Sequence, residues 1–342
     1  MDPDGRWNHR DPLGGALSQG SSVPEPVTAV MDTAGAWLVR GLAEVEAGLS
    51  EAVDRTGDLA DRGTATLSAG GKRMRPMLVI LCAGPGGGAP TIRAAVAVEL
   101  IHTASLVHDD VLDRAPLRRG VPTIFSTDGR QTATSVGDAL FAEAFGLLSR
   151  SGDVESVGTL STTAVDLVRG ELMQRAAAFD MELSEADYFA RCRLKTGSLF
   201  SAACILGGQT GGAGDLEAMA GFGARVGLAF QLLDDVLDIS GPAERTGKAR
   251  GTDLLDGTVT LPLIEAIRTD ESIAGIGMRD LDEASAGVLC DRIEETGALE
   301  RVRSRALDLI GDAKSVLADS GLDRERVELL ELVADGVVLR YS

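Results

Sequence analysis

An all-α fold, built as one large helical domain, is what this sequence predicts, on three observations. From Val27 onward, apolar residues recur at three- and four-residue spacing, the period of a helix that buries one face. No stretch alternates apolar and polar residues between hairpin turns, as antiparallel strands would. Of 342 residues 44% are hydrophobic but only 4% aromatic, with Ala, Leu, Val and Gly dominant, a mixture that suits close helix packing. A chain of this length can bury a large single core. Its helical segments share no fixed short repeat, which excludes a solenoid.

Residues 1–26 are rich in Gly, Pro, Ser and Asp without an apolar period and read as a disordered tail. The scatter of Trp7, Leu13 and Leu17 is the one feature that would let this tail dock on an unknown partner. Residues 27–342 form the helical domain. Its periodic segments predict helices over 30–53, 92–112, 132–149, 155–179, 185–206, 215–239, 260–268, 282–294, 298–317 and 323–339. Breaks fall at Gly84-Pro85-Gly86-Gly87-Gly88, at Gly207-Gly208 with Gly211-Gly212, and at Gly241-Pro242, where the helical backbone is least favoured.

The net charge of −19 argues against a general affinity for nucleic acid or anionic lipid. It leaves room for an anionic substrate held by local Lys and Arg. Cys82, Cys192, Cys204 and Cys290 show neither CxxC pairing nor His–Cys metal spacing. They read as buried free thiols, which fits a reducing cytoplasm. Met1 to Gly20 lacks the apolar core of a signal peptide. No run of eighteen apolar residues marks a membrane span.

The pentapeptide Asp-Asp-Val-Leu-Asp occurs at 109–113 and again at 234–238. On a helix, positions i and i+4 share a face. Asp109 can therefore converge with Asp113 on one hard cation, and Asp234 with Asp238. Solvated acidic helix faces would lie in polar stretches. These lie in apolar runs, Ala104-Ser105-Leu106-Val107 and Leu228-Ala229-Phe230 with Leu232-Leu233. Acids so crowded repel each other unless a divalent ion compensates, and Mg²⁺ favours a few carboxylates, waters and phosphate oxygens. Basic groups follow the same logic. In Gly70-Gly71-Lys72-Arg73-Met74-Arg75-Pro76 the glycines admit an anion close to the backbone, and Lys and Arg supply charge. Arg118 and Arg119, adjacent in one loop, point in different directions and could serve two neighbouring diphosphates. Lys195-Thr196 and Lys248 complete the set.

With these segments in order, the chain resembles the trans-prenyl diphosphate synthases, the farnesyl, geranylgeranyl and longer polyprenyl diphosphate synthases, over roughly residues 30–340. The resemblance is carried by Gly-Gly-Lys-Arg-Met-Arg-Pro at 70–76 and by Glu-Leu-Ile-His-Thr-Ala-Ser-Leu-Val-His-Asp-Asp-Val-Leu-Asp at 99–113. It continues through Leu-Arg-Arg-Gly at 117–120, Lys-Thr-Gly at 195–197 and Phe-Gln-Leu-Leu-Asp-Asp-Val-Leu-Asp at 230–238. Gly-Lys-Ala-Arg-Gly-Thr-Asp-Leu at 247–254 and Thr-Leu-Pro-Leu at 260–263 complete it.

The resemblance implies a helical bundle of the isoprenoid synthase type around a central apolar cavity. It implies condensation of isopentenyl diphosphate with an allylic diphosphate, with about three Mg²⁺ per active site once substrate is bound. Asp109, Asp113 and Asp234 would hold the metal. Asp110, Asp235 and Asp238 would act through waters or as supports of the ligands. Arg118, Lys195 and Lys248 would grip the allylic diphosphate, and Lys72, Arg75, His102 and Arg119 the isopentenyl diphosphate. Gln231 and the Thr196 hydroxyl would turn oxygen dipoles towards an allylic cation. His108 reads as structural. A homodimer is implied, with the apolar helices at 92–106 and 132–149 as candidate interfaces, and neither a membrane segment nor a nucleic-acid partner.

One departure concerns residue 258. Family members commonly carry Lys after Asp/Glu-Gly in the segment before Thr-Leu-Pro, whereas here Asp256-Gly257 is followed by Thr258. On chain length, Ala104 and Ser105 lie about one turn before Asp109, about 5–6 Å deeper along the helix. A bulky aromatic there stops growth early in the family. Two small residues leave the tunnel open, and no two-residue insertion interrupts 109–113. The expected product is longer than geranylgeranyl diphosphate, unless a deeper floor near Ile101 or Met173 stops it there. A class I terpene cyclase is the enzymatic rival, but its second metal motif differs and a second diphosphate site would be idle in it. A non-catalytic subunit of a heteromeric synthase would be expected to lose aspartates, and all six are present.

Overall fold

The computed structural model describes residues 25–68, 71, 73–212, 214–241 and 250–339. Lys72, Lys248 and residues 1–24 of the expected tail lie outside the described residues. Glu25 and Pro26, assigned above to the tail, instead open the first helix, α1 (Glu25–Ala34).

Gly35, at φ 70°, separates α1 from α2 (Ala36–Asp54), so the single helix expected over 30–53 is two. Three helices escaped the sequence reading, α3 (Ala60–Ser68), α4 (Met74–Ala83) and a single turn at Thr252–Leu255. Pro76 to Ala83 are all buried, and a helix that is apolar all round carries no period to detect. The long α5 (Gly88–Asp113) delivers the first aspartate motif at its C-terminal end.

A strand pair follows where none was expected. β1 (Leu117–Arg118) runs antiparallel to β2 (Val121–Pro122). Arg119 and Gly120 make the turn at φ 53° and 77°. Two consecutive left-handed residues are what a tight two-residue hairpin loop requires. Each strand has two residues, too few for alternation to show in sequence.

Thr123 caps α6 (Ile124–Arg150), which is kinked at Gly129. Asp153 caps α7 (Val154–Ala176). That helix stops short of 179 because the chain reverses at Phe179, at φ 64°. The expected helix 185–206 is α8 (Glu185–Cys192), a π-helical turn (Arg193–Gly197) and α9 (Ser198–Gly211) in one run. Asp215 caps α10 (Leu216–Ser240), which carries the second aspartate motif. The chain then forms α11 (Thr252–Leu255), α12 (Leu261–Thr269), α13 (Glu283–Glu295), α14 (Ala298–Leu317) and α15 (Arg324–Leu339).

The centre of the bundle is α9, packed against α4, α5, α7 and α10. Its approach to α4 depends on small residues. A Cβ on Gly207 would stand 2.4 Å from the Val79 carbonyl oxygen, and one on Gly211 2.5 Å from that of Ala83. The glycine cluster that reads as a break is thus partly a packing face. Phe200 of α9 and Leu78, Leu81, Leu100 and Phe222 from its neighbours are buried, each worth about 1.5–3 kcal/mol of transfer free energy. All four cysteines are buried and unpaired. Residues 94–101 are buried within the chain, so the middle of the apolar 92–106 stretch is core. Among the described residues no helix is long and apolar enough to cross a membrane.

Candidate active site

Asp109 and Asp113 end α5 on one face, both partly accessible, while Asp110 between them is buried. α10 repeats the pattern: Asp234 is exposed, Asp238 half-buried and Asp235 buried. The helical period thus sorts each motif into an accessible pair and one inward acid.

On the α7 side, Glu171 accepts a hydrogen bond from Lys195 Nζ. Lys195 Nζ also lies 4.0 Å from Asp109 Oδ2. Arg175 bridges Glu171 Oε1 through Nε and Asp113 Oδ1 through Nη2, both at 2.7 Å. Lys195 reaches this place because the π-helical turn bulges against α7 at Gly170, where a Cβ would stand 2.5 Å from the Lys195 amide nitrogen. Burial raises the Asp109 carboxyl to about 6; the Lys195 ammonium opposes the rise, and Glu171 and Asp113 add to it. A divalent cation would relieve that crowding, so the hard-oxygen donors on this face fit one. Among the described residues no three carboxylate, imidazole or thiol groups converge into a ready-made metal cage. The Asp109, Asp113 and Asp234 set expected from sequence is therefore not preassembled.

A second cationic site lies along the adjoining face of α5. A cavity of about 220 Å³ is lined by Arg73, His102, Asp110, Arg118 and Arg119. The hairpin brings both adjacent arginines to the lining of this cavity. Arg118 donates to Asp110 Oδ1 at 2.7 Å, and its charge also bears on Asp109. His102 is held well below the usual imidazole range by burial and by the charges of Arg75, Arg119, Arg118 and Arg73, so it is neutral at pH 7. Arg75 is buried, with its guanidinium carbon 4.5 Å from the Phe200 ring centroid and its Nε without a hydrogen-bond partner. Burial lowers it to about 10, against Glu99, while Arg119 lowers it further. A buried cation with an unsatisfied donor suits an anionic ligand.

Arg73 frames this site. At φ 46° it turns back to bond Glu46 and Glu99, at 2.5 and 2.9 Å.

Next to Lys195, a hydrogen-bonded chain links the π-helical turn to α10 and α8. Thr196 Oγ1 donates to Gln231 Oε1 at 2.7 Å, Gln231 Nε2 to Asp235 Oδ1 at 2.7 Å, and Tyr188 OH to Asp235 Oδ2 at 2.5 Å. The Gln231 carbonyl oxygen is thereby turned to Thr196. Burial, with Asp253 adding to it, raises Asp235 to about 7, against the bonds from Tyr188 and Gln231. Asp238 Oδ2 accepts from the Asp253 amide at 3.1 Å.

Ala104 is fully buried, whereas Ser105, one turn before Asp109, is half-buried and donates to the His102 carbonyl oxygen at 2.8 Å. Ile101 is fully buried and Met173 half-buried. His108 faces α6, stacked on Phe141 at 5.6 Å with Nε2 3.1 Å from Asp138, in keeping with a structural role. Sequence reasoning missed Glu171, Arg175 and Tyr188. For the first two a signal existed, an acid and a base four residues apart on a helix. Tyr188 left none.

An all-helical bundle that sets two paired-aspartate motifs beside two clusters of cations defines a prenyltransferase of the isoprenoid synthase type. Sequence comparison makes the assignment specific, since the polyprenyl synthetase profile matches residues 58–283. The chain is 39% identical over 273 residues to heptaprenyl diphosphate synthase component 2 of Geobacillus stearothermophilus, covering 78% of this chain and 85% of the relative. It is 34% identical over 299 residues to geranylgeranyl diphosphate synthase of Methanosarcina mazei, covering 84% and 91%. Its fold is similar to that of a crystal structure of polyprenyl synthase from Caulobacter crescentus complexed with calcium and isoprenyl diphosphate. The TM-score is 0.81 at 35% identity, covering 90% and 98% of the two chains. The chain belongs to the polyprenyl synthetase family.

Proposed function

We propose that this protein condenses isopentenyl diphosphate with an allylic diphosphate, with Mg²⁺, to give an all-trans polyprenyl diphosphate longer than twenty carbons. The observation that carries the reading is the pair of cation clusters on adjoining faces of α5. Lys195 and Arg175 stand beside Asp109 and Asp113, and Arg75, His102, Arg118 and Arg119 stand beyond them. A condensation needs two diphosphate sites, whereas a cyclase needs one.

Asp109 and Asp113, with Asp234 from α10, would hold the metal. Bound there, the metal would neutralise charge on the departing diphosphate. Lys195, with Lys248, grips the same group, and stabilising that developing charge is the largest catalytic effect to expect. Arg75, His102 and Arg119, with Lys72, hold isopentenyl diphosphate so that its double bond faces the allylic carbon. A neutral His102 donates or accepts a hydrogen bond there and does not ionise in the working range. The C–O bond breaks, the double bond attacks the allylic cation, and a proton leaves to the diphosphate. Gln231, fixed by Asp235, accepts the Thr196 proton and so leaves the Thr196 oxygen lone pairs to face the cation, and the apolar surroundings exclude water.

The small, half-buried Ser105 supports a long product. The similarity to a geranylgeranyl diphosphate synthase keeps a twenty-carbon product as the second reading. The protein would act as a cytoplasmic homodimer. Val165, Val168 and Leu172, 56%, 56% and 61% exposed on one face of α7, support an interface between copies there. The test is product mass. Purified protein, isopentenyl diphosphate, Mg²⁺ and each of dimethylallyl, geranyl, farnesyl and geranylgeranyl diphosphate are incubated, and the dephosphorylated products are weighed. One defined linear prenol supports the synthase and reads its tunnel depth. No condensation with any primer overturns it.

A further inference from the structure

We propose that Arg175 is a displaceable counter-ion of Asp113, which yields to the divalent cation and then grips the diphosphate that arrives with it. The inference rests on the reading above, in which Asp109 and Asp113 hold the metal. Arg175 lies in the last turn of α7 and donates to Asp113 Oδ1 at 2.7 Å. Its second bond goes to Glu171, which Lys195 also bonds. The Arg175 side chain is 38% exposed and that of Asp113 41%, so their pairing lies at the accessible edge of the site, where ion pairs are weak and readily exchanged. A guanidinium does not lose its proton. When a divalent ion meets the Asp113 carboxylate, Arg175 is left with a repulsive neighbour and no means of neutralising itself, so its guanidinium must swing away. The planar fork matches phosphate oxygens two at a time.

The place is also right. The Phe179 amide, four residues beyond Arg175, donates to the Gly257 carbonyl oxygen at 2.7 Å. A Cβ on Gly257 would stand 2.4 Å from the Phe179 ring. The segment bearing Thr258 therefore lies against the end of α7. Position 258, which lacks the commonly found Lys, and Arg175 fall in one locality. Two further guanidiniums there are engaged, Arg279 stacked on Phe179 at 4.2 Å and Arg191 donating to the Val259 carbonyl oxygen at 2.8 Å.

The test measures binding to the full chain, not turnover. Mn²⁺ affinity is read by paramagnetic resonance without substrate, and inorganic diphosphate affinity by calorimetry at saturating Mn²⁺. Arg175→Gln should bind Mn²⁺ about threefold more tightly and diphosphate about tenfold more weakly. Arg175→Lys should stay within about twofold of wild type for Mn²⁺. Thr258→Lys added to Arg175→Gln should restore diphosphate binding. Arg169→Gln, on the same helix but paired with Asp166 at 3.8 Å, should change neither affinity. If Arg175→Gln weakens Mn²⁺ binding or leaves diphosphate binding unchanged, the counter-ion role is wrong. If wild type binds neither Mn²⁺ nor Mn²⁺ with diphosphate, the metal reading beneath it falls as well.

Discussion

Lys195 Nζ stands 4.0 Å from Asp109 Oδ2 while bonded to Glu171, so one ammonium serves carboxylates from two helices, α5 and α7. The shared charge holds down an Asp109 carboxyl that burial raises to about 6. Asp109 must be ionised to accept a cation, so at subsaturating Mg²⁺ kcat/KM should fall as pH drops through about 6. Lys195→Met should lower kcat/KM by about 10²–10³-fold and move this acid limb to higher pH. A pH–rate profile of the variant checks both, and an unmoved limb would sink the assignment.

Asp235 makes an opposite kind of statement, about stability. Its carboxyl is raised to about 7 in the folded chain, above its unfolded value of about 4. The folded state thus binds the extra proton between these values. The contribution is fully present below about pH 4 and is lost as pH rises through about 7. In chelator, Asp235→Asn should flatten the decline of melting temperature over that window. An unchanged slope would refute the raised carboxyl.

Chain length should respond to position 105 more cleanly than to 104. Ser105 is half-buried one turn below Asp109, while Ala104 is sealed in the core. Ser105→Phe should shorten the prenol. Ala104→Phe must force a ring into filled space, costing about 1–3 kcal/mol, so it should also lower the melting temperature. Identical product masses for wild type and Ser105→Phe would remove the tunnel from this face.

Arg73 ties the segment before α4 to Glu99, whose side chain is 5% exposed. Arg73→Met leaves that carboxylate buried without its partner, which costs about 3–5 kcal/mol. Denaturant unfolding should register the loss, and KM for isopentenyl diphosphate should rise because Arg75 hangs on the same segment. A wild-type midpoint would show that the ion pair carries no stability.

Much of this site was legible because it is local. Asp109 with Asp113, and Asp234 with Asp238, follow from helical spacing alone, and the accessible faces are where that spacing puts them. What escaped depends on contacts distant in sequence. Tyr188 reaches Asp235 across 47 residues, and nothing near either residue announces it. The hairpin at 117–122 escaped because strands of two residues have no period. The break within 185–206 escaped because the apolar pattern runs on through it, and α4 because it is buried on every side.

The π-helical turn at 193–197 makes the length of the chain itself a determinant of chemistry. Such a turn is a helix carrying one surplus residue. Deleting any single residue between Glu185 and Gly197 would let the run relax into an unbroken α-helix. Each residue of that helix turns about 100° about its axis, so the deletion would rotate Lys195 and Thr196 out of register with the aspartates or swing α8 away from them. Substitutions along this run can be absorbed one by one, but its residue count cannot drift.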